Sequence, residues 1–131
     1  VQKLFEEDIM KPTKVLLVDD EVEFASALSE RLRLRNYDAK AVYHAEDAMA
    51  TIMKDKPDVV LLDLKMPGID GIEVLKAIKK FDISIKVIIL SGQGDREIAD
   101  EGIKVGAFDY VMKPVDIGEI ITKIEQAKKS R

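Results

Sequence analysis

In the stretch KVLLVDDEVEF, residues 14–24, an apolar run leads straight into three acids, Asp19, Asp20 and Glu21. Like charges this close repel, and a carboxylate at the rim of a core loses hydration, so such a triplet anticipates a cation. Further apolar runs end the same way: DVVLL leads into Asp63, KVIIL into Ser91 and DYVM into Lys113. Three carboxylates suit Mg²⁺, a hard ion that takes oxygen ligands, few of them from protein. The charge of Mg²⁺ together with the Lys113 ammonium balances Asp19, Asp20 and Asp63. A carboxylate in such a site can attack phosphorus and form an aspartyl phosphate. The metal, Lys113 and the Ser91 hydroxyl would then stabilise charge on the phosphoryl oxygens.

Each residue also has an ordinary structural reading. Asp20 could cap the helix that follows it. Ser91 in LSGQG could be a turn serine, Lys113 before Pro114 a surface lysine, and MPGIDG a plain loop. What sets the group apart is recurrence at the same end of successive apolar runs. In an open α/β sheet, chemistry gathers where parallel strands end. If the first, third and fourth strands are neighbours, the groups meet in one pocket.

The elements that must do this positioning are legible as short apolar runs alternating with segments of helical period. Strands are expected at KVLLV (14–18), AKAVY (39–43), DVVLL (58–62), KVIIL (86–90) and DYVM (109–112). Their continuous Val, Ile and Leu content suits parallel strands buried on both faces. Phe24, Leu28, Leu32 and Leu34 mark the first amphipathic helix. Ala45–Lys54, Ile72–Lys80, Arg96–Val105 and Ile117–Lys128 supply four more. DGIE (70–73) and DIGE (116–119) read as variants of the capping box, and Asp95 as a further N-cap. Five strand–helix units predict an α/β sandwich around a parallel sheet.

Residues 1–13 stand outside the alternation as an N-terminal extension before a domain spanning 14–131. Leu4, Phe5 and Ile9 could form one face of a short extra helix. Equally, the segment could be a processed or engineered end, with Met10 as a natural start.

Composition narrows the chemistry further. A chain of 131 residues suits one domain with a real core, and 47% apolar with 35% charged residues fits a globular fold rather than disorder. With no Cys, disulfides, thiolate zinc sites and Cys nucleophiles are excluded. The single His44 argues against a His-based metal site or a Ser-His-Asp triad. A net charge of −4, with basic residues spread along the chain apart from AKKSR at its end, argues against direct nucleic-acid binding. No apolar stretch approaches the roughly 18 residues of a membrane span and there is no signal peptide, so no membrane contact and a cytoplasmic setting are expected.

The blocks LLVDDE (16–21), LLDLKMPGIDG (61–71), ILSGQG (89–94) and GAFDYVMKP (106–114) together resemble the receiver domain of two-component response regulators, of the chemotaxis-regulator type. The resemblance covers about residues 14–129. It implies a doubly wound, flavodoxin-like (βα)5 sandwich with strand order 2-1-3-4-5. It further implies that Asp63 is the phospho-acceptor, taking its phosphoryl group from a sensor histidine kinase. Asp20, Asp63 and the Lys65 backbone carbonyl would bind Mg²⁺ (or Mn²⁺ in its place), with Asp19 acting partly through water. Lys113 and Ser91 would hold the phosphoryl group, and Tyr110 matches the aromatic switch position. A cis Lys113–Pro114 bond is implied, against a general X–Pro frequency of about 5–6%. Lys65 and Gln93 fall where the family varies the side chains that tune dephosphorylation, and Ser91 replaces the commoner Thr. Such a domain is no enzyme beyond assisting its own phosphorylation and autodephosphorylation. Its output passes to a downstream protein, an output domain or, on phosphorylation, a second copy of itself.

Three other classes fit part of the pattern. A haloacid-dehalogenase-type phosphatase also uses Mg²⁺, Asp, Ser or Thr, and Lys, but its D-x-D motif is here an adjacent DD. A nucleotide or flavin binder finds only G-x-G in GQGDRE, with Glu97 at the third glycine position. A degenerate receiver, binding partners without phosphorylation, is opposed by the intact Asp20, Asp63, Ser91 and Lys113.

Overall fold

The computed structural model describes residues 11–130. The extra helix anticipated around Leu4, Phe5 and Ile9 lies outside them. Strands and helices alternate throughout: β1 (Lys14–Val18), α1 (Val22–Arg33), β2 (Asp38–Val42), α2 (Ala45–Lys54), β3 (Val59–Asp63), α3 (Gly71–Phe81), β4 (Lys86–Ser91), α4 (Arg96–Lys104), β5 (Asp109–Met112) and α5 (Ile117–Lys129). All strand pairs are parallel, in the order β2-β1-β3-β4-β5. The α/β class, the five units and the 2-1-3-4-5 order expected from the sequence are therefore the observed ones.

The strand alternation splits the core into two layers. Leu16, Val18, Val60, Leu62, Val87 and Ile89 face α2, α3 and α4, meeting Ile52, Leu75, Ile78 and Ala99. Val15, Leu17, Val59, Leu61, Ile88 and Leu90 face α1 and α5, meeting Leu28, Leu32, Ile120 and Ile124. The central strands are thus buried on both sides, which is why their sequences run apolar without alternation. β2 and β5 differ because they are the sheet edges. Lys40 is exposed in β2, and only Val111 is fully buried in β5. Thr13 also joins the sheet margin, its carbonyl accepting from the Asp38 amide at 2.9 Å.

Several local expectations are corrected. Leu34 is 76% exposed, because α1 ends at Arg33 and a residue two positions past Leu32 points about 200° around the helix. The chain then reverses through Asn36 at φ 69°, a left-handed conformation that Asn tolerates better than most residues. Of the expected caps only Asp70 forms, its Oδ1 accepting from the Ile72 and Glu73 amides at 3.0 and 3.4 Å. Asp95 and Asp116 make no capping bond.

Gly71 fixes how α3 meets the end of β3. A Cβ there would lie 2.3 Å from the Leu64 carbonyl oxygen and 2.4 Å from Leu64 Cα, backbone atoms that cannot rotate away. Gly71→Ala is expected to destabilise the fold by about 3 kcal/mol or more, the upper range for overpacking, as read by urea unfolding. A loss under 1 kcal/mol would mean that the β3–α3 loop yields easily.

Candidate functional site

Because β1 and β3 are adjacent and point the same way, Asp19 and Asp63 emerge side by side at the carboxyl edge of the sheet. Each fixes its own loop in the same manner. Asp19 Oδ1 accepts from the Glu21 amide and Asp63 Oδ1 from the Lys65 amide, both at 2.9 Å. Each side chain thereby turns the backbone out of the sheet and keeps its second oxygen for the pocket. Asp19, Asp20 and Asp63 each present a carboxylate oxygen to the cluster, and these oxygens lie within 4.8 Å of one another.

Lys113 enters from the end of β5. Its backbone amide donates to the Ser91 carbonyl at 2.7 Å, and the Lys113–Pro114 bond is cis. The ammonium lies 2.7 Å from Asp19 Oδ2, 2.5 Å from Glu21 Oε1 and 3.7 Å from Asp63 Oδ2. The Phe24 ring supports it from below, 4.7 Å from ring centroid to Nζ. Burial pulls the lysine pKa down, but its contacts with Asp19 and Glu21 outweigh that and raise it above the ordinary lysine value.

The pocket holds more negative charge than Lys113 can satisfy. Asp19 Oδ2 is fully buried, and despite its ion pair with Lys113 no donor is aimed at it in hydrogen-bonding geometry. Burial, reinforced by the Asp19 and Asp20 charges, pushes the Asp63 carboxyl up to about 6, against the opposing pull of the Lys65 amide and Lys113. A buried carboxylate oxygen without a hydrogen-bond donor, beside a carboxyl pushed up by burial and neighbouring charge, is a setting that a divalent cation would relieve. The donor set therefore fits Mg²⁺: hard oxygens, few in number, with an open side for water and phosphoryl oxygens.

The remaining candidates sit around this centre. Asp63 and Ser91 are the last paired residues of β3 and β4 rather than the first loop residues. The Ser91 hydroxyl makes long 3.4 Å contacts to the Gly92 and Asp95 carbonyls. Tyr110 is half-buried on β5, opposite Ile89. Gln93 is exposed at the loop tip. The Lys65 side chain pairs with Asp95 at 2.6 Å. Sequence reasoning counted Glu21 only within the acid triplet, Phe24 only as a helix-face residue and Asp95 only as a cap, and placed none of them against Lys113 or Lys65. For the first two a signal existed, since an acid and an aromatic one helical turn apart, just after the acid pair, must flank whatever enters there.

Comparison with known proteins identifies the family and agrees with the fold. The response regulator receiver domain family matches residues 15–125. The chain belongs to that family. As a receiver it is 38% identical over 111 residues to sporulation initiation phosphotransferase F of Bacillus subtilis, covering 85% of this chain and 90% of that protein. It is 35% identical over 118 residues to the DNA-binding transcriptional regulator NtrC of Proteus hauseri, where the match spans 90% of this chain but only 25% of that protein. Among solved structures, the receiver domain of NtrX from Brucella abortus superposes with a TM-score of 0.85 at 31% identity, over 89% of this chain and 99% of that one. The phosphatase and nucleotide-binding readings have no support in these matches.

The raised Asp63 carboxyl has a stability consequence. Its folded value of about 6 lies above the ordinary 3.8, so its protonated form favours folding; that contribution is complete below pH 4 and is lost as pH rises through 6. Asp63→Asn, which retains an Oδ1 acceptor for the Lys65 amide, is therefore expected to stabilise the metal-free receiver by about 1–3 kcal/mol at pH 7.5 and by nothing near pH 4. Urea unfolding at the two pH values checks this, and an advantage independent of pH would assign it to another cause.

Proposed function

We propose that this receiver accepts a phosphoryl group on Asp63 from the phosphohistidine of a sensor histidine kinase. The observation that carries the reading is the convergence of Asp63 Oδ2, the Lys113 ammonium and the Asp19–Asp20 pair at one end of the sheet. An Asp63 carboxylate oxygen attacks phosphorus in line, the P–N bond to the donor imidazole breaks, and the imidazole nitrogen keeps the bonding pair. Asp20, Asp63 and the Lys65 carbonyl, with Asp19 acting partly through water, would hold a divalent cation, which would supply neutralisation of charge on the phosphoryl oxygens. Lys113 supplies a second positive charge on the opposite side and needs to move little from its place 3.7 Å from Asp63.

Phosphorylation adds about −1.5 to −2 charge to the pocket. The Ser91 hydroxyl gives up its weak loop contacts and donates to a phosphoryl oxygen, carrying the β4–α4 loop inward. Half-buried Tyr110, beside the strand that bears Ser91, follows into the space this opens. The face made by α4, β5 and α5 then changes its affinity for a downstream protein, an output domain or a second copy. Moving the populations from 1:99 to 99:1 takes about 5.5 kcal/mol of differential interaction, a scale that a few charge-assisted hydrogen bonds reach. The reading makes the domain a signalling switch rather than an enzyme, without direct nucleic-acid or membrane contact. Its net charge of −4 supports the first exclusion. No helix among the described residues is long and apolar enough to cross a membrane, and a cytoplasmic setting is proposed with it.

Intact mass after incubation with acetyl phosphate and Mg²⁺ tests this reading. One phosphoryl adduct is expected on the wild type, and none on Asp63→Asn or in EDTA. Metal binding without an adduct, even with a stable beryllofluoride mimic, would leave a degenerate receiver acting through protein contacts alone.

A further inference from the structure

One ion pair joins the two loops that flank the phospho-acceptor. Lys65 belongs to the β3–α3 loop, and its backbone amide already donates to Asp63 Oδ1. Its side-chain Nζ lies 2.6 Å from Asp95 Oδ1 in the β4–α4 loop. Asp95 is the more enclosed partner, its side chain 16% exposed against 62% for Lys65.

Asp95 is also where the β4–α4 loop is held together. Its amide donates to the Gly92 carbonyl at 3.2 Å, and its own carbonyl lies 3.4 Å from Ser91 Oγ. Its side chain packs close over the loop, since a Cβ on Gly92 would come within 3.1 Å of Asp95 Oδ2. It stands at the N-cap of α4 and does not cap it. Its φ and ψ of −106° and 17° differ from the extended values of −90° and 103° at Asp70, which does cap its helix. The carboxylate that could satisfy the first amides of α4 is committed to Lys65 instead.

We propose that Asp95 is a positioning residue that clasps the Lys65 ammonium away from the phosphoryl position in the resting receiver, and that charge arriving on Asp63 releases this clasp to reset the first turn of α4. The inference rests on Asp63 being the phospho-acceptor. A phosphoryl group brings about −1.5 to −2 charge and competes for Lys65 with the single charge of Asp95. Once Lys65 leaves, Asp95 is free to rotate into the capping position toward the Glu97 and Ile98 amides. The Ser91 hydroxyl leaves the Asp95 carbonyl at the same moment. Two independent pulls, one from each flanking loop, thus converge on the residue that begins α4.

The test compares wild type, Lys65→Met, Asp95→Asn and the double variant in Mg²⁺-dependent binding of beryllofluoride, a tetrahedral stand-in for the phosphoryl group. In Asp95→Asn the ligand no longer has to displace the clasp, so binding tightens by about threefold to fivefold, the span of a partly exposed ion pair. Adding Lys65→Met removes that gain, a non-additivity that a purely structural Asp95, or a simple change in net charge, would not produce. Additive effects overturn the proposal. Amide exchange in the resting protein gives a reading independent of phosphoryl chemistry. Exchange at residues 92–95 should rise several-fold in each single variant and no further in the double, and unchanged exchange overturns the clasp. Failure of the wild type to bind beryllofluoride would instead count against the phospho-acceptor reading, with the exchange data still deciding the clasp.

Discussion

Charge crowding at the carboxyl edge of the sheet is the constraint around which this receiver is arranged. Three carboxylates converge there, one of them with a fully buried oxygen whose one partner is the Lys113 ammonium, outside hydrogen-bonding geometry. A single lysine from the far strand spans two of them and reaches back to Glu21. Self-repulsion and lost hydration both oppose this grouping, and the pressure shows in Asp63, whose carboxyl is pushed up to about 6. The rest of the fold supplies the rigidity needed to hold the acids together regardless. The central strands are closed on both faces by two apolar layers, so the acids cannot relax apart without breaking the sheet.

That arrangement makes the site responsive. In the proposed function, a cluster under-neutralised without metal would favour a cation, and with a divalent ion bound it would favour an anionic phosphoryl group. A ligand moves a conformational equilibrium only by what it gains in one state over the other. The groups able to follow the new charge are loosely held: the Ser91 hydroxyl by 3.4 Å contacts, and Lys65 by an ion pair open to solvent. Lys113 and Asp19 are held tightly and keep the frame. On the proposed reading, rigid acids beside weakly tethered responders would register charge through the loops rather than the strands.

Much of this was legible in the sequence, for a physical reason. Strands buried on both faces must be continuous apolar runs, so β1, β3 and β4 announced themselves, and the polar residue ending each run marked the site. Boundaries were less legible than existence: β2 and β3 each lie one residue off the expected 39–43 and 58–62 and β4 runs one residue longer, whereas the edge strand β5 matches at 109–112. The strand order came from family resemblance rather than from periodicity, which cannot say which strands are neighbours. Caps were over-read. Asp95 and Asp116 have the right type and position, but a capping bond also needs the carboxylate to be free, and that of Asp95 is taken by Lys65. The direction of a long side chain such as Lys65 has no sequence signature at all. It depends on a partner 30 residues away that only the fold brings near.

The most direct test of the charge-crowding account is a carbon-detected NMR titration of the Asp63 side-chain carboxyl, with and without saturating Mg²⁺. The expected result is a midpoint near 6 in the metal-free receiver, moving below the ordinary carboxylate value of 3.8 when the ion neutralises its neighbours. A metal-free midpoint at the ordinary value, or one that Mg²⁺ leaves unmoved, would contradict the view that these acids are gathered to hold a cation.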